Sequence, residues 1–100
     1  MALLDPREII VLTELYYHLR PGSIISRDRT PTIAEARAVA IYITSKFTEY
    51  SSTEIGEYYF HRDHSTILHN IKKINNILAK KRVGNCSKAV DFMLTKYNKG

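Results

Sequence analysis

Four segments of this chain carry the start signals of α-helices, and apolar residues at three- and four-residue spacing follow each signal. The four caps are Asp5, Thr32, Ser51 and Asp63. A glutamate stands three residues after each of the first three caps, which is the sequence pattern of a capping box. Only four glycines and three prolines occur in 100 residues, so a β fold with many turns is disfavoured. The pattern therefore predicts an all-α protein.

The spacing of the signals sets the limits of the predicted helices. The first runs from Asp5 to a break at Arg20–Gly22, the second from Thr32 to about Thr48, a short third from Ser51, the fourth from Asp63 to about Lys81, and a fifth from a Ser87 cap. The segment Ser23–Ile25 is predicted as a short connector of about one helical turn. A length of 100 residues suits one domain. We predict a single domain over residues 1–100, an orthogonal bundle of five to six helices.

The chain is basic, with 15 lysines and arginines against 10 aspartates and glutamates and a net charge of +5. Such a balance favours polyanionic partners such as nucleic acids. A net charge of this size also occurs on proteins that bind no nucleic acid, so charge alone leaves the partner undecided.

Two classes of protein are disfavoured by composition. Cys86 is the only cysteine, which excludes an intramolecular disulfide and a cysteine-rich zinc site. No apolar run approaches the ~20 residues of a membrane span, and the N-terminus lacks the apolar region of a signal peptide. We expect a soluble, cytoplasmic protein with no membrane partner.

The most informative unit lies between Ser51 and Arg82 and consists of a short helix, a tight turn and a longer helix, with the helix pair at about residues 51–81. In a helix-turn-helix, the second helix enters the major groove of DNA and its first turns meet base edges. The segment Asp63–Thr66 offers a carboxylate, an imidazole and two hydroxyl groups there, all of which can hydrogen-bond to bases. The layout predicts duplex DNA binding.

The outer side of the longer helix continues with His69, Lys72 and Lys73, opposite an apolar stripe that includes Ile67. Cations on such a face suit phosphate groups, and we predict Arg62, Lys72 and Lys73 as DNA-backbone contacts. The same layout also fits a protein-interaction module, in which an ordinary helix pair presents a solvated basic face. Layout and charge alone leave both alternatives open.

Metal and catalytic sites are disfavoured by spacing. His64 and His69 lie five residues apart, and neither these nor His61 is joined by a second carboxylate or thiol. Asp63, His64 and Ser65 are adjacent on one helical turn, so they cannot form a nucleophile, base and orienting group in sequence. We predict no catalytic residue, no metal and no cofactor, and thus a protein that is not an enzyme.

The segment Arg62–His69 reads R-D-H-S-T-I-L-H. It resembles the signature of the C-terminal DNA-binding domain of the bacterial replication initiator DnaA, commonly written R-D-H-[ST]-T-V-x-H. Ser51–Gly56 resembles the family's S-x-x-E-I-G helix, and Ala36–Tyr42 resembles its A-R-x-x-A-M-Y helix. The register covers roughly residues 8 to 98. The resemblance implies a TrpR-like orthogonal bundle with an embedded helix-turn-helix.

The resemblance also implies a site, carried over position by position. Base contacts in the major groove are implied for Asp63, His64, Ser65 and Thr66. Arg29 falls where the family has an arginine that enters the adjacent minor groove, whose narrow A·T-rich form attracts cations. Contacts with the sugar-phosphate backbone are implied for Arg37, Thr48, Leu68 and His69. The implied target is a DnaA box of TTATNCACA type, with a role in replication initiation, in its regulation or in transcription control.

The chain departs from the family pattern in three places. Phe60 and His61 replace a Gly-Gly or similar small pair before Arg62, Ala38 replaces a polar or basic residue, and the loop Ser26–Thr32 is less basic than usual. We expect an altered turn or an added contact from His61, and a lower affinity or a different preferred site.

The sequence contains no G-x-x-x-x-G-K-[ST] motif and has no room for an ATPase domain. It is therefore expected to be either an excised domain or a stand-alone relative of the initiator. A single helix-turn-helix can bind an asymmetric site as a monomer, so the sequence leaves the oligomeric state open. Double-stranded DNA is the expected partner, in a bacterial or phage-type, nucleoid-associated setting.

Overall fold

The structure, a computed structural model, describes residues 5–80 and 84–97, without the side chain of Asn85. Within these residues the chain is helical and contains no strand. The helices are α1 (Pro6–Tyr16), α2 (Pro31–Phe47), α3 (Ser52–Ile55), which continues as a π-helical turn at Gly56–Phe60, α4 (His64–Ala79) and α5 (Asn85–Tyr97). The predicted all-α fold with an embedded helix-turn-helix is confirmed.

Helix α2 lies at the centre of the bundle and packs against α1, α3, α4 and α5. All residues from Ala36 to Ile41 are buried, so this stretch of helix is enclosed on every side. The small side chains of Ala36, Ala38 and Ala40 allow the neighbouring helices to approach closely. Ala38, which departs from the family pattern, is thus a core residue.

Helix α1 begins as predicted, because the Asp5 side chain accepts a hydrogen bond from the backbone N–H of Arg7 at 2.9 Å and Pro6 is the first helical residue. It ends at Tyr16, earlier than the predicted break at Arg20–Gly22. The end is a Schellman motif, in which His18 is left-handed with φ of 58° and the Leu19 N–H donates to the Glu14 carbonyl at 2.8 Å. Glycine normally occupies the position of His18, so no residue type at this point of the sequence predicts the end of the helix.

We expect His18→Gly to stabilise the domain by roughly 0.5–1 kcal/mol. An L-residue in the left-handed region costs about 1–2 kcal/mol, and glycine removes that cost but gains unfolded-state entropy. Urea unfolding followed by circular dichroism measures the difference. A loss of stability would contradict this account of how α1 ends.

The predicted connector at Ser23–Ile25 is a series of turns rather than a helical turn. It is held by the buried carboxylate of Glu14, which accepts the backbone N–H groups of Gly22 at 2.9 Å and Ile24 at 3.1 Å. Two N–H groups that a helical turn would have directed to carbonyls are thereby bonded to one side chain of α1.

Two further helix starts were predicted wrongly, each by about two residues. Helix α2 starts at Pro31 with Thr30 as its N-cap, because proline at the first helical position outweighs the Thr32 signal. The predicted capping glutamate, Glu35, instead accepts a hydrogen bond from the Tyr17 hydroxyl at 2.6 Å. Helix α4 ends at Ala79, and the predicted limit at Lys81 lies outside the described residues. Helix α5 begins at Asn85, two residues before the predicted Ser87 cap.

Candidate nucleic-acid interface

The first helix of the helix-turn-helix starts with the predicted capping box. The Ser51 hydroxyl accepts the backbone N–H of Glu54 at 3.1 Å, and the Ser51 N–H donates to the Glu54 carboxylate at 2.8 Å. Ile55 is buried beneath this turn. The start of α3 is therefore fixed both by local hydrogen bonds and by the core.

The turn between α3 and α4 depends on a close backbone approach at Gly56. The Arg62 N–H donates to the Gly56 carbonyl at 3.1 Å. A Cβ atom on Gly56 would lie 2.1 Å from the Arg62 carbonyl oxygen and 3.2 Å from Cγ1 of Ile67. Only a glycine leaves room for the turn to fold back in this way.

The residues that replace the family's small pair are accommodated in this turn. Phe60 is fully buried and contributes to the core. His61 takes the left-handed conformation, with φ of 56° and ψ of 45°, which small residues adopt with less strain. The turn thus places a bulky residue in a left-handed conformation, and the expected alteration relative to the family stays a prediction.

Helix α4 begins at the predicted cap. The Asp63 side chain accepts the backbone N–H of Thr66 at 2.9 Å, and this bond lowers the pKa of the Asp63 carboxyl below its usual range. The carboxylate is exposed and is held at the tip of the helix. Ile67 and Ile74 are fully buried on the opposite side and fix the rotation of α4.

The predicted base-reading residues of α4 are on the surface. Asp63, His64 and Ser65 are exposed, and Thr66 is half-buried. The exposed face continues along the helix at three- and four-residue spacing through Ser65, His69, Lys72 and Asn76. The polar start of α4 and its basic continuation therefore form one surface.

Arg29, the predicted minor-groove residue, lies close to that surface. It is exposed and lines a concave region here called the basic groove, which is formed by Arg27, Arg29, Arg37, His61, Arg62 and Thr66. Arg29 belongs to the loop before α2 and Thr66 to the first turn of α4. The fold thus places the two predicted reading elements side by side, although 36 residues separate them in the sequence.

Arg37, predicted as a DNA-backbone contact, is buried and forms hydrogen bonds within the protein. Its side chain is only 7% exposed. The Nε group donates to the Ile24 carbonyl at 2.6 Å, and Nη2 donates to the carbonyls of Ser26 at 2.9 Å and Asp28 at 3.0 Å. Burial, followed by the nearby charge of Arg62, lowers the pKa of Arg37. Its phosphate contact stays a prediction, beside a structural role that the sequence did not indicate.

Arg62, also predicted as a DNA-backbone contact, holds the same loop from the other side. Its Nη2 donates to the Ser26 carbonyl at 2.6 Å. Its Nη1 donates to the carbonyls of Phe60 at 2.9 Å and His61 at 3.2 Å. Three of the five N–H donors of this guanidinium are therefore bonded within the protein.

The remaining predicted backbone contacts lie on α4 and at the end of α2. Leu68 is 50% exposed on α4, and His69, Lys72 and Lys73 are exposed beyond it. Thr48 is half-buried at the end of α2, where its hydroxyl donates to the Thr44 carbonyl at 2.6 Å. Their contacts with DNA stay predictions.

Two residues of the basic groove were missing from the predicted site. Arg27 had a signal, because it belongs to the charged loop before α2, but its position beside α4 follows only from packing. For His61, the sequence signal was its departure from the family pattern. Its position in the lining of the basic groove follows from the left-handed turn.

Other kinds of site find no support in the part of the chain that the structure describes. No three side chains of histidine, cysteine, aspartate or glutamate lie together there as a metal site would require. None of the helices between residues 5 and 97, the gap at 81–83 apart, has the length and apolar character that crossing a membrane requires.

Comparison with known proteins places this chain in a family. A family model described as the bacterial dnaA protein helix-turn-helix matches residues 6–74. The chromosomal replication initiator protein DnaA of Campylobacter curvus is 35% identical over 77 residues, which are 77% of this chain and 18% of that protein. The DnaA of Aliarcobacter butzleri is 37% identical over 73 residues, or 73% of this chain and 17% of that protein. The DnaA of Buchnera aphidicola is 38% identical over 66 residues, which are 66% of this chain and 15% of that protein.

The chain thus spans less than a fifth of the length of these relatives. The matched region runs from the first residue of α1 to Ile74 of α4, so it contains the capping box, the turn at Gly56 and the polar start of α4. The chain belongs to the family of the helix-turn-helix, DNA-binding C-terminal domain of bacterial DnaA.

Proposed function

We propose that this domain binds duplex DNA sequence-specifically at DnaA-box-like sites, with the start of α4 in the major groove and the Arg29 loop in the adjacent minor groove. The observation that carries the proposal is the basic groove, in which Arg29 and Thr66 line the same concave surface. A surface of this kind suits a grip on two neighbouring grooves of one duplex.

The exposed groups at the start of α4 suit base edges in the major groove. The Asp63 carboxylate accepts the Thr66 N–H through Oδ1. A carboxylate has further lone pairs, and these can accept from the amino group of a cytosine. His64 and Ser65 are exposed beside it and can hydrogen-bond to bases. The Thr66 methyl can pack against a thymine methyl.

The surrounding cations suit the DNA backbone. His69, Lys72 and Lys73 follow the polar start of α4 on its exposed side, and Arg27 lines the basic groove. Phosphate contacts set the position of a protein on the duplex, whereas base contacts set its sequence preference. We propose that these four residues contact phosphate groups and so set the position of the domain on the duplex.

The relatives are named chromosomal replication initiator proteins. We infer a role in replication initiation, in its regulation, or in transcription control through the same sites, carried out by binding without catalysis. A monomer suffices for an asymmetric site, and the cytoplasm, close to the nucleoid, is the expected location.

His64→Ala is expected to weaken binding to a cognate box by about 1–3 kcal/mol and binding to a scrambled duplex hardly at all, as for a base contact. Fluorescence anisotropy titrations of both duplexes at one stated salt concentration measure this, because salt alone changes such affinities by orders of magnitude.

His69→Ala is the matched control, since it removes a second exposed histidine from the same helix. A backbone contact predicts equal loss on both duplexes. A wild-type protein that binds the two duplexes equally would overturn sequence-specific recognition and would favour the protein-interaction module.

A further inference from the structure

The carbonyl of Ser26 accepts hydrogen bonds from two guanidinium groups that come from different parts of the fold. Arg37, on α2, donates at 2.9 Å, and Arg62, in the turn before α4, donates at 2.6 Å. Ser26 lies three residues before Arg29. One peptide group therefore connects the loop that carries Arg29 to the turn that carries the start of α4.

This arrangement brings two like charges together, and the repulsion shows in the pKa of Arg37, which the charge of Arg62 lowers in addition to burial. The cost is offset by six hydrogen bonds from the two side chains to backbone carbonyls. A planar guanidinium can hold several carbonyls in one fixed geometry, which an ammonium group cannot do. The two arginines thus set the distance between the Arg29 loop and the turn before α4.

Arg62 is the member of the pair that spans both reading elements. Its Nη1 holds the carbonyls of Phe60 and His61, which lead directly into the Asp63 cap, while its Nη2 holds Ser26. Three of its hydrogen bonds go to protein carbonyls, so at most two of its five N–H donors remain for the predicted phosphate contact.

We propose that Arg62 is a positioning residue that locks the Arg29 loop to the turn before α4, so that the minor-groove and major-groove contacts are made at one fixed spacing. The proposal rests on the proposed function. A loop held in place before binding loses less conformational entropy when it meets DNA. The lock therefore strengthens the contact that Arg29 makes.

The test separates minor-groove reading from overall affinity. Replacing adenines at the A·T-rich end of the box with 2,6-diaminopurine adds an amino group to the minor groove and leaves the major-groove pattern of A·T pairs intact. The ratio of the Kd on the substituted duplex to the Kd on the plain duplex therefore measures the Arg29 contact. Because both values come from one preparation, partial unfolding of a variant cancels in the ratio.

For wild type we expect a ratio of about ten or more, the size of one good groove contact. Arg29→Ala should reduce the ratio to about one. Arg62→Ala and Arg62→Lys should also bring it to within about twofold of one although Arg29 is still present, because a loosened loop no longer presents it. Lys72→Ala is the control, with weaker binding of both duplexes, an unchanged ratio and a salt slope lower by about 0.9.

A phosphate contact would make the Arg62 variants behave like Lys72→Ala, with the ratio preserved and the salt slope reduced, and this result overturns the positioning role. A wild-type ratio of one also overturns it, since no minor-groove contact would exist to be positioned. Failure of the proposed function itself is distinct, because wild type would then not distinguish a box from a scrambled duplex.

Discussion

Gly56→Ala is expected to destabilise the domain by at least about 3 kcal/mol and to abolish box binding. The added Cβ would lie 2.1 Å from the Arg62 carbonyl oxygen, a backbone atom that cannot move without its turn. Overpacking against side chains costs about 1–3 kcal/mol, and here the Cγ1 atom of Ile67 crowds the same point at 3.2 Å. Relief requires the turn to separate from α3, which displaces the start of α4.

Gly84→Ala is the matched control for this substitution. A Cβ at Gly84 meets no atom within 4 Å and the residue is exposed. Its carbonyl accepts the Lys88 N–H at the start of α5, so the change should cost at most about 1 kcal/mol, as for alanine in place of a glycine N-cap. Thermal and urea unfolding of both variants, together with anisotropy titration, give the comparison. A Gly56→Ala protein as stable as Gly84→Ala would show that the turn has room that the structure does not give it.

Glu14→Ala is expected to cost about 2–4 kcal/mol. Glu14 is 3% exposed, and its carboxylate is the acceptor for the backbone N–H groups of Gly22 and Ile24. Ile24 is fully buried, so removing the acceptor leaves a donor without water or a partner, which costs about 1–3 kcal/mol for each such group. The effect extends to the site, because the Ile24 carbonyl is the acceptor for Arg37 at 2.6 Å.

Two control variants test whether the loss of stability comes from the Glu14 carboxylate. Glu14→Gln keeps an amide oxygen at the acceptor position and should lose less than half as much stability. Glu8→Ala removes an exposed carboxylate from the same helix and should change stability by less than about 0.5 kcal/mol. Urea unfolding measures all three. Equal losses in Glu14→Ala and Glu8→Ala would show that the carboxylate does not hold the turns at residues 21–25.

The parts of the fold that sequence predicted well are those fixed by interactions within one turn of helix. The caps at Ser51 and Asp63 are hydrogen bonds to residues three positions later. The inward side of α4 follows from the periodicity that places Ile67 and Ile74 in the core. The family resemblance then assigned base contacts to Asp63, His64 and Ser65, and the structure leaves these residues exposed.

The sequence did not show the interactions in which a side chain bonds to a partner far away in the chain. Glu35 fits a capping box in sequence but bonds to Tyr17, 18 residues away. The phosphate contact implied for Arg37 stays a prediction, and the sequence did not show that its guanidinium also bonds to carbonyls of the preceding loop. Nothing in the local sequence distinguishes these partners from solvent or DNA.

The sequence by itself determined the helices, their inner faces and the polar start of α4, because caps and periodicity act between residues three or four positions apart. Only the tertiary structure decided that Arg29 lies beside Thr66 and that Arg37 and Arg62 share the Ser26 carbonyl. These relations depend on how α1, α3 and α4 pack around the enclosed helix α2. Packing sets distances between residues that are remote in the chain, and no spacing along the sequence encodes them.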